Sequence, residues 1–224
     1  MNIPRNYIDI FKDAHKDQDI YVIAAGSSME LYPEGFFDDK VTVGVNRVCN
    51  FFDCDYTVIK DFEGFNLILQ NTINKNIKVI MSEHRYGTRP SKNPSIDSSS
   101  VFYFHHFDKP GQRPMVKSIL KDSNKLVVSH STITSSIHFS AYMGAKNIFI
   151  CAHDCCKINN ESTIENYYSK IKPHQKSDKG YVDWLKTIKY DTFNVSEKLQ
   201  KEYECNIVAL NPMLFVNFDK YEIS

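Results

Sequence analysis

The chain has 224 residues, of which 42% are hydrophobic, and its 27 basic side chains balance 27 acidic ones. This size allows one domain or two small ones, and we expect a single domain over residues 1–224. The zero formal net charge excludes an overall field that would recruit nucleic acid or an acidic membrane surface. Any anionic ligand must therefore be bound locally.

Targeting segments are not predicted. No stretch reaches the ~18 apolar residues of a membrane span, and residues 1–17 (MNIPRNYIDIFKDAHKD) lack the apolar core of a signal peptide. The six cysteines do not form the pattern of a secreted disulfide framework, so reduced thiols are expected. We therefore expect a cytoplasmic protein, for which peripheral membrane association would need further partners.

The predicted elements begin with an amphipathic helix over residues 3–16. Eight short runs rich in β-branched and aromatic residues follow, at 20–25, 41–45, 56–59, 77–81, 101–104, 125–128, 148–152 and 206–210. Helical spacing connects several of them, at 62–71, 114–121, 132–143 and 191–203. Strands alternating with helices predict an α/β fold, Rossmann-like, with a mainly parallel sheet and helices on both faces.

Two segments interrupt this alternation. Residues 84–99 are rich in turn-forming residues and predict a surface loop. Residues 155–186 form a long polar insertion, and its aromatic side chains among lysines are compatible with a lid over a polar ligand. The alternative is a solvated connection without a role in binding.

The segment IYVIAAGSSMEL (20–31) places Gly26, Ser27 and Ser28 directly after the first predicted strand. In open α/β sheets, ligands bind beyond the carboxyl ends of the strands, where small residues let backbone N–H groups approach phosphate. Gly26 is expected to adopt the positive φ of a sharp exit. Neither GxGxxG nor GxxxxGK[ST] is present, so an ordinary strand-to-helix turn is the alternative.

Polar residues also follow the next two predicted strands. Asn46 ends the second strand, and its amide offers a donor and an acceptor to a sugar or a base. Lys60 and Asp61 end the third strand. Three successive strands are therefore predicted to deliver polar groups to one edge of the sheet.

A hydroxyl-rich segment, HSTITSSIHFSAYMGAKNIFICAHD (130–154), opens a predicted helix and ends in Asp154. A helix N-terminus favours phosphate, and a single hydroxyl such as that of Ser131 or Thr132 would satisfy the cap. The surplus of hydroxyls indicates ligand binding, with simple capping as the alternative.

The order of the motifs along the chain resembles that of the bacterial lipooligosaccharide sialyltransferases. These motifs are the GSS turn, Asn46, the hydroxyl-rich helix start, MGAKNIFICAHD and NIVALNP. The Maf motility-factor and archaeal 6-hydroxymethylpterin pyrophosphokinase families share this layout. The similarity covers nearly the whole chain through short motifs. It implies a glycosyltransferase of lipopolysaccharide biosynthesis that transfers a sialic-acid-like sugar from a CMP-activated donor to a glycan acceptor, without a cofactor or a metal.

The resemblance also implies roles for the residues at the strand ends. Asp61 stands where the sialyltransferases have asparagine and is nearer the Maf and pyrophosphokinase pattern. The other implied nucleotide contacts are Gly26, Ser27 and Ser28 for the phosphate, Asn46 for the nucleotide or donor sugar, Ser131 or Thr132 for CMP, and Asp154 for the ribose or base.

In the resembled enzymes, a loop histidine accepts the proton of the acceptor hydroxyl and tyrosines stabilise the departing phosphate. The matching position lies near Thr187, where this chain has no histidine. His174 is the only histidine after Asp154 and is the predicted base, with Tyr167 and Tyr168 as phosphate donors. A loop histidine without function is the alternative for His174.

A metal ion is expected only under one alternative function, that of a pyrophosphokinase. His153 with Cys155 and Cys156 lacks the paired C-x₂-C spacing of zinc sites, as does the other cysteine pair, Cys49 and Cys54. One alternative is a pterin-type pyrophosphokinase that holds Mg²⁺ beside ATP through Asp61 and Asp154. The other is a nucleotide-binding module without catalysis.

Relatives of the resembled kind often assemble into homo-oligomers.

Overall fold

The computed structural model describes residues 3–60, 62–84, 92–107, 119, 121, 123–156, 158, 163, 164 and 178–210. Eight strands lie within them: β1 (Asp19–Ile23), β2 (Val41–Val45), β3 (Tyr56–Ile59), β4 (Lys78–Ser82), β5 (Val101–His106), β6 (Lys125–Leu126), β7 (Asn147–Cys151) and β8 (Asn206–Leu210). They form one sheet in the order β6-β5-β4-β3-β2-β1-β7-β8, and all neighbouring strands are parallel. The predicted α/β, Rossmann-like architecture is confirmed.

Within the described residues, three α-helices accompany the sheet: α1 (Phe62–Lys75), α2 (Ile133–Tyr142) and α3 (Asp178–Tyr203). Three short 3₁₀ turns are also present, at Ile8–Phe11, Ser27–Leu31 and Asn46–Asn50. None of the helices in the described part of the chain combines the length and the apolar character needed to cross a membrane.

Both faces of the sheet are covered by apolar side chains. Successive strand residues point to opposite faces, so Val22 joins the core beneath α2 and α3 while Ile23 joins the core beneath α1. Every residue of β3 is buried, which explains why its sequence is an unbroken apolar run rather than an alternating one. Strand β8 is at the edge and is largely exposed.

The strand order reverses at β1. From β1 the chain adds β2 to β6 on one side, and α2 then carries it back across the sheet to β7 and β8 on the other side. Helix α2 packs against β1, β2, β3, β6 and β7 during this return. The crevice at the carboxyl ends of β1 and β7 is therefore a topological switch point, where open α/β sheets bind their ligands.

The predicted N-terminal helix over residues 3–16 is wrong. Only Ile8–Phe11 is helical, as a 3₁₀ turn, because the preceding residues run alongside β5. The N–H of Tyr103 donates to the carbonyl of Asn6 at 2.8 Å, and Tyr7 forms a parallel bridge with Tyr103. Pairing with the sheet has overridden the helical spacing.

Two other boundaries differ from the sequence expectation. Helix α3 begins at Asp178 rather than near residue 191, so residues 178–186 of the predicted 155–186 lid belong to a long helix. Strand β6 stops at Leu126 because the N–H of Val127 donates to Nδ1 of His138 at 3.0 Å instead of to a neighbouring strand. The predicted helix at 114–121 lies almost wholly outside the described residues.

Candidate functional site

The turn after β1 lies directly against the segment that follows β7. The N–H of Gly26 donates to the carbonyl of Ala152 at 2.9 Å. A Cβ at position 26 would overlap that carbonyl and the carboxylate of Asp154. The φ of Gly26 is −66°, so the expectation of positive φ is wrong. Glycine is required here because two backbones approach closely.

Ser28 and Asp154 fasten this contact. The N–H of Ser28 donates to Oδ2 of Asp154 at 2.9 Å, and the Ser28 hydroxyl donates to Oδ1. Ser28 is only 3% exposed. Asp154 therefore caps the 3₁₀ turn Ser27–Leu31 from across the switch point, which gives both residues a structural role beside the predicted role in binding.

A cavity of about 160 Å³ opens above the switch point. Its lining includes Gly26, Asn46, Ser131 and Asp154, which come from the ends of β1, β2 and β7 and from the start of α2. These four predicted residues thus lie together. Three other predicted residues, Ser27, Ser28 and Thr132, are not among the described lining residues.

Four further predicted site residues lie outside the described residues. They are Asp61, Tyr167, Tyr168 and His174. Their assigned roles in nucleotide binding and in catalysis therefore stay predictions.

The cavity is lined by an unusual backbone. Asn46, Ala152 and Cys155 all line it and all have left-handed φ values, of 56°, 51° and 51°. Asparagine tolerates this conformation, whereas it costs alanine or cysteine about 1–2 kcal/mol. Strained residues of this kind cluster at ligand sites, because the surrounding structure must hold them there.

The hydroxyls at the start of α2 mostly serve the helix itself. Ser135 donates to the carbonyl of Val127 at 2.7 Å, and Ser136 donates to the carbonyl of Thr132 at 3.2 Å. Thr134 contacts the Ser131 carbonyl at 3.1 Å. The surplus of hydroxyls is thus largely explained by internal hydrogen bonds. Ser131 is the one of this group that lines the cavity, and its Oγ also accepts from the N–H of Ile133 at 3.5 Å.

Lys60 fixes the loop that carries Ser131. Its Nζ donates to the carbonyl of Ser129 at 2.7 Å, which ties the end of β3 to the chain between β6 and α2. The first N–H groups of α2 have no intrahelical partner, as in any helix, and they begin beside Ser131 at the cavity. Lys60 therefore helps to hold a potential anion-binding helix end in place.

The sequence reasoning missed an imidazole–carboxylate pair beside this loop. Nδ1 of His130 lies 2.5 Å from Oδ2 of Asp191 on α3. The His130 ring also packs edge-on against Trp184, with ring centroids 5.2 Å apart, and Trp184 lines the cavity. His130 opens the hydroxyl-rich segment and could have been noticed, but Asp191 lies 61 positions away and no local pattern joins the two.

A second histidine, His153, lines the cavity itself. Thr192 donates its hydroxyl proton to the carbonyl of Ile188 at 2.9 Å, so its Oγ1 accepts from Nε2–H of His153 at 2.9 Å. This leaves Nδ1 as the acceptor of the ring. Burial lowers the pKa of His153 to about 4 despite the opposing effect of Asp154, so the ring is neutral at pH 7.

Cys155 lies next to this imidazole, with Sγ 3.4 Å from Nε2 of His153. Burial raises the pKa of the Cys155 thiol to about 11, so the group is a thiol rather than a thiolate near neutral pH. Its contribution to the cavity is therefore that of a small, weakly polar wall.

Comparison with protein-family models, with curated proteins and with solved structures gives no match to the chain. The chemistry that the site supports therefore follows from its own geometry. It combines a close-packed glycine turn, a side-chain amide, a hydroxyl beside a helix N-terminus and a carboxylate, which together suit phosphate and sugar hydroxyls.

Proposed function

We propose that this protein is a glycosyltransferase that transfers a sialic-acid-like sugar from a CMP-activated donor to a hydroxyl of a glycan acceptor. The observation that carries the proposal is the convergence of Gly26, Asn46, Ser131 and Asp154 on one cavity at the switch point of the sheet. The motif order that resembles the lipooligosaccharide sialyltransferases supplies the donor class.

The cavity accommodates one part of the nucleotide. Its volume of about 160 Å³ is below the ~300 Å³ at which pockets enclose whole ligands. In this proposal the phosphate lies against Ser131 and the N-terminus of α2. The Asp154 carboxylate accepts from Ser28 and retains lone pairs for a ribose hydroxyl.

The proposed reaction needs positioning, leaving-group stabilisation and a base. The bond between the anomeric carbon and the CMP phosphate breaks, the acceptor oxygen forms the new bond, and the base takes the acceptor's proton. Among the described residues we assign the base to His130. Asp191 accepts Nδ1–H and holds the ring beside Trp184, which lines the cavity, and Nε2 is the ring atom left to accept the proton. His174 is the competing base.

Ligand-induced stabilisation tests the nucleotide site. CMP without metal is expected to stabilise the protein by about 2.7 kcal/mol at a hundredfold excess over its Kd. Asn46→Ala should reduce this shift, whereas Asn50→Ala, on an exposed residue of the same 3₁₀ turn, should not. Stabilisation by ATP only with Mg²⁺ would support the pyrophosphokinase instead, and no response to either nucleotide would overturn both.

Hydrolysis and transfer of a CMP-sialic acid donor test the base. His130→Asn should lower kcat by about 10²–10⁴, the usual contribution of a general base. Asp191→Asn should lower kcat and alter its pH profile, whereas Asp183→Asn, at an exposed position of α3, should do neither. If His130→Asn keeps full activity and His174→Asn loses activity, His174 is the general base. No turnover in the wild type would leave a binding module.

A further inference from the structure

A second cavity lies on the far side of His153, between α3 and the β8 edge of the sheet. Its volume is about 380 Å³, within the range of ligand pockets. Its walls are mainly apolar and are formed by Ile150, Phe193, Ile207, Ala209 and Leu210. We call it the edge cavity.

The edge cavity adjoins the candidate nucleotide site. Ala152, His153 and Asp154 line both cavities. A ligand in the edge cavity therefore lies against the same residues after β7 that border the proposed donor. Two cavities of different polarity that share one wall suit a reaction between a polar donor and a less polar second substrate.

The edge cavity also carries five polar side chains, those of His153, Asp154, Lys189, Thr192 and Ser196, and one of them lacks a hydrogen-bond partner among the described residues. Oγ of Ser196 is shielded from solvent and has no hydrogen-bond partner among the described residues. Such a group is costly to bury and is available to a ligand oxygen. Lys189 adds one cationic side chain to the lining. The cavity therefore suits an apolar group attached to a polar, oxygen-rich portion.

The mouth of the edge cavity is unusually apolar for a surface. Phe193 is 61% exposed although it lines the cavity, and Tyr190, three residues earlier on α3, is 68% exposed. Contiguous exposed apolar groups next to a ligand pocket commonly mark binding surfaces. Phe193 therefore extends the apolar wall of the edge cavity outward.

We propose that the edge cavity binds the apolar portion of the second substrate, so that the acceptor is a glycoside whose sugar carries an aromatic or alkyl group. This inference rests on the proposed transferase function. The apolar group occupies the edge cavity, and the sugar hydroxyls lie toward Asp154 and His153. The side chains of α3 and β8 then determine which acceptors are used.

Equilibrium binding of two probes with the same sugar tests this inference. Octyl β-galactoside, below its micelle concentration, is expected to bind at least tenfold more tightly than methyl β-galactoside. Ala209→Trp fills the cavity and should abolish the difference. Val208→Trp is the matched control, because position 208 is on the same exposed strand but does not line the cavity.

A second variant guards against misfolding of the tryptophan variants. Phe193→Ala removes an exposed wall residue and should weaken octyl β-galactoside binding several-fold without changing the binding of the methyl glycoside. Equal Kd values for the two probes, or equal losses in the two tryptophan variants, would overturn the inference. CMP binding is measured in the same samples. If CMP binds but octyl β-galactoside binds no more tightly than the methyl glycoside, only the edge-cavity assignment fails. If octyl β-galactoside binds more tightly but CMP does not bind, only the nucleotide site is rejected.

Discussion

Glu83 is a buried carboxylate that joins three separate segments at the carboxyl end of β4. It is 5% exposed. Its Oε1 accepts from Arg5 at 3.2 Å and from Lys92 at 3.0 Å, and its Oε2 lies 2.5 Å from Nδ1 of His105. Burial by itself would raise the pKa of Glu83, but the hydrogen bonds from Lys92 and His105 outweigh it and lower the pKa to about 2.

Replacing Glu83 by glutamine should destabilise the protein by about 3 kcal/mol at pH 7, because the guanidinium of Arg5, whose side chain is only 14% exposed, loses its counter-charge. The folded pKa of about 2 lies below the usual 4.5, so the carboxylate's contribution is complete above pH 4.5 and is lost as the pH falls toward 2. Urea unfolding of wild type and Glu83→Gln across this range should show the two stabilities converging. Glu30→Gln, at an exposed position, is the control. A difference that stays constant down to pH 2 would contradict this account.

Some residue-scale features were predictable and others were not. Gly26, Asn46 and Asp154 could be placed together because parallel strands share one carboxyl edge, so each strand end in the sequence maps to the same rim. Arg5 and Glu83 are 78 positions apart, and their contact depends on where residues 3–7 lie against β5. No spacing in the sequence encodes such a contact.

At the scale of elements, α2 is a helix buried along its whole length. Every residue from Ile133 to Tyr142 is buried, including hydroxyls and His138. Nδ1 of His138 accepts from the Val127 N–H, so Nε2–H donates to the Tyr203 hydroxyl at 2.9 Å. Burial lowers the pKa of His138 to about 3, which keeps the ring neutral at ordinary pH. Polar groups thus enter this core because each has a partner within the fold.

Two serines of this region should separate stability from binding. Ser135→Ala loses the buried hydrogen bond to the Val127 carbonyl and should destabilise the protein by about 1 kcal/mol while CMP affinity is kept. Ser131→Ala, at the cavity, loses only the long, 3.5 Å hydrogen bond from the N–H of Ile133, so it should cost less stability than Ser135→Ala and weaken CMP several-fold. Chemical unfolding and calorimetric titration of both variants measure the two effects. The proposed site would be refuted if Ser131→Ala bound CMP as tightly as the wild type.

The elements themselves were predicted unevenly. Apolar runs such as VTVGV and YTVI became strands with the expected bounds, because a strand buried on both faces leaves a direct trace in the sequence. The amphipathic N-terminus did not become the expected helix, since Tyr7 pairs with Tyr103 in the sheet. The pair of His130 and Asp191 was missed because it forms only once α3 packs beside the loop after β6.

For the whole molecule, the position of a strand in the sheet should determine whether its backbone hydrogen bonds break by local fraying or only by global unfolding. Strand β1 is flanked by β2 and β7, and its Ile20, Val22 and Ile23 are fully buried. Strand β8 pairs with β7 alone among the described strands, and most of it is exposed. The centre of the sheet is therefore expected to open only with global unfolding, and β8 by local fraying.

Native-state hydrogen exchange measures this gradient. Amides of β1 should exchange at least about a hundredfold more slowly than those of β8, since their opening free energies differ by several kcal/mol. Increasing urea should speed exchange strongly in β1 and weakly in β8. Equal protection of the two strands would show instead that the edge is held as firmly as the centre.

The hydrogen bond from Ser28 to Asp154 joins residues 126 positions apart, and a second bond, from Asn147 to Asp19, spans 128. Contacts of such long range form late and slowly during folding, because a large loop must close first. While a ribosome is still translating the segment before β7, the nascent chain holds only half of the crevice. The proposed nucleotide site is therefore complete only after β7 has been synthesised and has paired with β1.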